Sequence, residues 1–152
     1  MVGAIVGGGM AVTPVGIHCL CELYDCPSDL LNDAVFVKSA LRQAAKESGS
    51  SLLQVLSHKF VPQGVTGLGL LAESHLSIHT WPEHNFVAVD IFTCGQKLKP
   101  EAACKYLAKV FCAGRYSIMT MSRGGVPPGF QVTSVMQEES MPSHALKRAS
   151  VR

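Results

Sequence analysis

The chain has 152 residues, 47% of them apolar and 16% charged, and a formal charge of +2. Such a composition suits one globular domain with a buried core and excludes a disordered chain. The weak positive balance argues against a nucleic-acid partner, which calls for a strong basic patch.

Residues 1–14 (MVGAIVGGGMAVTP) are apolar but lack a basic n-region, carry a glycine run and are too short to span a bilayer. They read as a flexible leader. With no signal sequence and no disulfide-scaffold density among the six cysteines, reduced thiols, a cytoplasmic location and no membrane partner are expected. VGIHCLCELYD then alternates, with Ile17, Cys19, Cys21 and Leu23 on one face, as in a half-buried strand. Pro27, Ser28 and Asp29 supply helix-start chemistry, and Leu30, Ala34, Val37, Leu41 and Ala44 predict one helix ended by Gly49. A second strand is expected from Leu52 to Phe60. The glycine-rich PQGVTGLG leads into LLAESHLSIHTWPEHNFVAVDIFTCG, whose Phe86–Phe92 part reads as a strand with Val87, Val89 and Ile91 inward. LKPEAACKYLAKVFCAG predicts a second helix, with Pro100 in its first turn, Ala103, Leu107 and Val110 as its stripe and Gly114 as its end. RYSIMTMSRG reads as the last strand, and residues 124–152 as a mobile tail. This order predicts an α+β fold, a two-layer sandwich of an antiparallel sheet with two main helices on one face, within a domain of residues 15–123.

The polar stretch between Leu70 and Gly95 admits several readings. His75, His79 and Glu83 are spaced by four, a metal-ligand pattern on a helix. Pro82 would break that helix, and Ser77, Ile78, Thr80 and Trp81 favour extended chain, so no metal is expected. Ser74 has histidines nearby but no G-x-S-x-G elbow, and Gly7–Gly9 have neither a preceding strand nor a following lysine. A solvated strand pair remains open. Cys19, Cys21, Cys104 and Cys112 read as packing residues, and His18 and His58 as ordinary strand histidines.

GVTGLGLLAESHLSIHTWPE followed by VAVDIFTCG, with GIHCLCELYDC upstream, resembles the prokaryotic S-adenosylmethionine decarboxylase proenzymes from about Val15 to Arg123. The resemblance implies a lyase that makes the aminopropyl donor for spermidine after cutting itself between Glu73 and Ser74. Ser74 would become a covalent pyruvoyl group, an electron sink that forms a Schiff base with the substrate amine. It also implies His79 as the proton-transfer residue of processing, Thr66 as a supporting hydroxyl, and Cys94 as proton donor in decarboxylation. Glu83 would hold the ribose hydroxyls of S-adenosylmethionine, and Phe60 would lie against its adenine. A homodimer of cleaved protomers is implied as well. On the same scaffold, an arginine or ornithine decarboxylase and a non-processing binding homologue are the alternatives. Ser74 and His79 are five residues apart, so a straight strand would point them to opposite faces. If both serve one centre, a bend or bulge is expected just after the cut, with Leu76 and Ile78 in the core and His75, Ser77 and Trp81 facing away.

Overall fold

A computed structural model describes residues 13–95, 97–125 and 131–139. The elements run β1 (Gly16–Tyr24), α1 (Ser28–Leu31), α2 (Ala34–Glu47), β2 (Leu52–Lys59), β3 (Val65–Leu71), β4 (Ser74–Trp81), β5 (Phe86–Thr93), α3 (Pro100–Val110), β6 (Arg115–Arg123) and β7 (Gln131–Glu139). The strands form one sheet in the order β2-β3-β4-β5-β1-β6-β7, with every pairing antiparallel. Helices α2 and α3 pack on one face of it, which is the expected two-layer α+β sandwich.

Period-two alternation decides which face is covered. Cys19, Cys21 and Leu23 of β1, Leu76 and Ile78 of β4, and Val87, Val89 and Ile91 of β5 are buried beneath the helices. Val37, Leu41, Ala44, Ala103 and Leu107 meet them from above. Each fully buried Leu contributes about 2–3 kcal/mol through area removed from water. At Gly67 the approach is too close for a side chain, since a Cβ would lie 2.6 Å from Leu41 Cδ1 and 3.0 Å from Ile78 Cγ2.

Four expectations are corrected. The first helix is two: α1 stops at Leu31, and Asp33 restarts the chain by accepting from the Val35 and Phe36 N–H groups at 2.9 and 3.0 Å. A capping carboxylate two residues before Val35 competes with continued helix and wins. Gly114 does not turn α3; the left-handed residue is Cys112, at φ 51°, and Cys112 is exposed rather than packed. RYSIMTMSRG is not the last strand: residues 131–139, within the stretch expected to be mobile, pair with β6 as β7. The β-branched residues of QVTSV and the otherwise unpaired edge of β6 account for that addition. Residues 1–12, the bulk of the expected leader, and 140–152 lie outside the described residues.

Candidate active site

A two-residue turn, Ala72 and Glu73, joins β3 to β4, and Ser74 is the first residue of β4. Its φ of 157° is one that residues bearing a Cβ rarely adopt. Ser74 sits opposite Thr93 in the β4–β5 ladder, which brings Cys94 alongside Glu73. The Cys94 N–H donates to the Glu73 carbonyl oxygen at 3.2 Å. That hydrogen bond polarises the carbonyl of the Glu73–Ser74 peptide and would steady negative charge developing on its oxygen. The Ser74 hydroxyl lies 3.2 Å from His75 Nδ1. Glu73, Ser74 and Cys94 thus form one cluster.

The other named residues gather at the far end of the same strand. Thr66 sits opposite His79, and its Oγ1 is 2.9 Å from His79 Nδ1. A hydroxyl there holds the ring through Nδ1, as donor or acceptor according to the tautomer, and leaves Nε2 without a part in that contact. Past Trp81, Pro82–His84 form a short 3₁₀ turn that carries Glu83, whose Oε2 accepts from Gln63 Nε2 at 3.2 Å. Gln63 comes from the β2–β3 hairpin, which also carries the half-exposed Phe60, 4.7 Å between ring centroids from His58. The β2–β3 hairpin thus carries an exposed aromatic ring and, through Gln63, a hydrogen bond to a carboxylate.

The two clusters do not meet within one copy. Strand β4 keeps an unbroken register with β5 from Ser74 to Trp81, so the expected bend after the cut is absent. Five residues of strand separate Ser74 from His79 by roughly 16 Å. Leu76 and Ile78 do enter the core, and His75, Ser77 and Trp81 face away from it.

The face away from the helices carries parallel rows across the strands. One holds Leu70, His75, Phe92 and His18, the next Leu68, Ser77, Asp90 and Leu20, and the third Thr66, His79, Ala88 and Glu22. His18 Nε2 stands 3.5 Å from Asp90 Oδ1, an electrostatic contact more than a hydrogen bond. Burial holds the His18 imidazole below its ordinary value of 6.5; Asp90 opposes that shift and Arg123 adds to it. The same face exposes Leu56, Leu68 and Leu70 at 56%, 48% and 52% of their surface, a contiguous apolar patch that the helices do not cover.

A profile of the S-adenosylmethionine decarboxylase family matches residues 17–124, nearly the whole of the expected domain. The chain belongs to that family. An S-adenosylmethionine decarboxylase proenzyme of Prochlorococcus marinus is 51% identical over 109 residues, which are 72% of this chain and 87% of that protein. One from Moorella thermoacetica is 44% identical over 114 residues, 75% of this chain and 91% of that protein. Among solved structures, the adenosylmethionine decarboxylase of Aquifex aeolicus superposes with a TM-score of 0.70 at 33% identity, covering 77% of this chain and 97% of that one. A Trypanosoma brucei AdoMetDC monomer superposes at 0.53 and 13% identity, a likeness of fold alone, over 69% of this chain and 45% of that one.

Some groups that touch the candidate residues escape a reading of the motif. Gln63 is one, and its only signal is its place in a PQG turn beside a strand end. The backbone N–H of Cys94 is another, because main-chain donors leave no mark in a sequence. Conversely, two residues of the motif region are structural. Buried Thr80 donates to the Leu31 carbonyl at 2.7 Å and accepts from the Val65 N–H at 2.8 Å. Asn85 is left-handed at φ 50° and ties its amide to the Cys26 carbonyl at 2.7 Å.

Proposed function

We propose that this chain decarboxylates S-adenosylmethionine with a pyruvoyl group made from its own Ser74, as a pair of copies that share their sites. The observation that carries the reading is the Cys94 N–H on the Glu73 carbonyl, next to a hydroxyl-bearing residue in an unusual backbone conformation. The residues fit a group built from the chain itself. The Ser74 oxygen attacks the Glu73 carbonyl carbon, and the Ser74 nitrogen departs as an amine, which leaves an ester. Loss of the Ser74 α-proton then expels the Glu73 carboxylate, and water replaces nitrogen at the resulting alkene, releasing ammonia. The group supplies an electron sink for loss of carbon dioxide when it is present.

The chain's own residues do the rest. Cys94, partly exposed beside the cut, returns a proton to the substrate's α-carbon. His79, oriented by Thr66, moves the proton during processing. Glu83 and Phe60 take the ribose hydroxyls and the adenine, and a carboxylate there also favours a sulfonium cation.

Two copies reconcile the distance between the clusters. If the open faces of two sheets meet about a two-fold axis through the middle row, the His79 row of one copy lies over the Ser74 end of the other. The exposed Leu56, Leu68 and Leu70 supply an apolar centre for that contact. Among the described residues no helix is long and apolar enough to cross a membrane.

The test has two readings on one preparation. Denaturing mass spectrometry is expected to find fragments split before residue 74, the second with a ketone in place of its amine. Release of carbon dioxide is then compared for S-adenosylmethionine, arginine and ornithine. A single uncut mass, or turnover of arginine alone, would overturn the reading.

A further inference from the structure

We propose that the α2–β2 connection, residues 48–51, is a clamp that positions the peptide bond for self-cleavage; this rests on the processing reaction proposed above. None of its residues lies in the loaded motif, and Ser51 is twenty-two residues from Glu73 in the chain. Ser51 nevertheless grips both residues that precede the cut. Its N–H donates to the Glu73 carboxylate, 3.0 Å from Oε2 and 3.2 Å from Oε1, and its carbonyl accepts from the Ala72 N–H at 2.9 Å. The connection is itself held. Ser48 is 2% exposed, its hydroxyl donates to the Ala45 carbonyl at 2.8 Å, and its own carbonyl accepts from the Lys99 N–H at 2.9 Å. Lys99 closes the connection that begins at Cys94, so Ser48–Ser51 ties down both the acyl side of the bond and the segment whose N–H polarises it.

The chemical need is specific. A serine hydroxyl attacks the carbonyl of its own peptide bond only when that carbonyl is turned toward it and kept there. A two-residue turn leaves the Glu73 peptide free to rotate unless something outside the turn holds it. The Cys94 N–H on the carbonyl is one such hold; the Glu73 side chain provides a second, from the acyl side, and because its acceptor is a carboxylate the hydrogen bond is of the stronger kind. Glu73 is therefore a positioning residue: it reaches the reacting carbonyl through its own backbone and does no chemistry.

The experiment times cleavage of freshly translated full-length precursor on denaturing gels. Glu73→Gln keeps an acceptor oxygen and is expected to cleave within about threefold of the parent, whereas Glu73→Leu loses it and should slow about tenfold or more. Ser51→Pro removes the donor while Glu73 stays intact, and it should slow cleavage to a similar degree. Because both changes break one interaction, the double variant should be no slower than the slower single. Melting curves in the uncleavable Ser74→Ala background separate loss of fold from loss of alignment; should Ser51→Pro not fold, the Glu73 pair decides alone. A Leu variant as fast as the parent, a Gln variant as slow as Leu, or multiplied effects in the double variant would overturn the clamp. A parent that never cuts refutes the processing reaction instead, so the two failures are distinguishable.

Discussion

The two ends of β4 belong to one strand, yet they are held by different parts of the chain. At the Ser74 end Glu73 is held by main-chain N–H groups, Cys94 on its carbonyl and Ser51 on its carboxylate, beside the side-chain pair of Ser74 and His75. At the His79 end they are side chain to side chain, Thr66 with His79 and Gln63 with Glu83. A bond that must be aligned is gripped by backbone, which has little freedom to stray. Groups that pass protons or take a ligand are held by side chains, which can exchange one partner for another.

The largest effect expected is at the first end. Ser74→Ala should abolish self-cleavage, so that denaturing mass spectrometry finds one chain of 152 residues; fragments split before residue 74 would detach the cut from this serine. Next comes a test of whether the two ends cooperate between copies. His79→Ala alone should slow cleavage by about a hundredfold or more. Co-expressed with Ser74→Ala, it should be cut again in mixed pairs, because one site then has both an intact serine and an intact imidazole. No rescue would mean that both ends act within one copy, against the separation of roughly 16 Å.

A smaller effect is expected on the ground between the ends. Leu68→Asp places a charge in the apolar patch and should weaken pairing by about a hundredfold in sedimentation experiments. At concentrations low enough that the parent is also single, its melting temperature should hardly move, since Leu68 is 48% exposed in a single copy. A large drop in melting temperature with pairing intact would show the patch to be part of the fold instead. The smallest effect concerns His18. Its folded-state affinity for a proton is below that at the ordinary value of 6.5, so the unfolded chain binds the proton more readily. Stability is therefore complete above pH 6.5 and falls as the pH drops through 6.5 toward the folded value. His18→Gln should flatten the melting temperature between pH 7 and 5; an unchanged slope would assign the acid sensitivity to other groups.

Much of the fold was legible because alternation is a local property. Ile17 to Leu23 and Val87 to Ile91 declare their buried faces without knowledge of their neighbours. The break at Asp33 was less legible, since a capping carboxylate and an interior helix residue are told apart only by whether the side chain turns back on the backbone. β7 was hidden for a similar reason: QVTSVMQ is a weak strand by itself, and the edge of β6 makes it one.

By itself the sequence determined the chemistry available: a serine after Glu73, an imidazole at 79, a thiol at 94 and a carboxylate at 83, in a run specific enough to name a family. Tertiary structure decided how those groups are distributed. It brought Cys94 to Glu73 through the β4–β5 register and Ser51 to Glu73 through the end of α2, and it kept Ser74 and His79 apart on a straight strand. The physical reason is that residue type sets what a group can do, whereas distance depends on register, and register is settled by pairings between segments far apart in the chain.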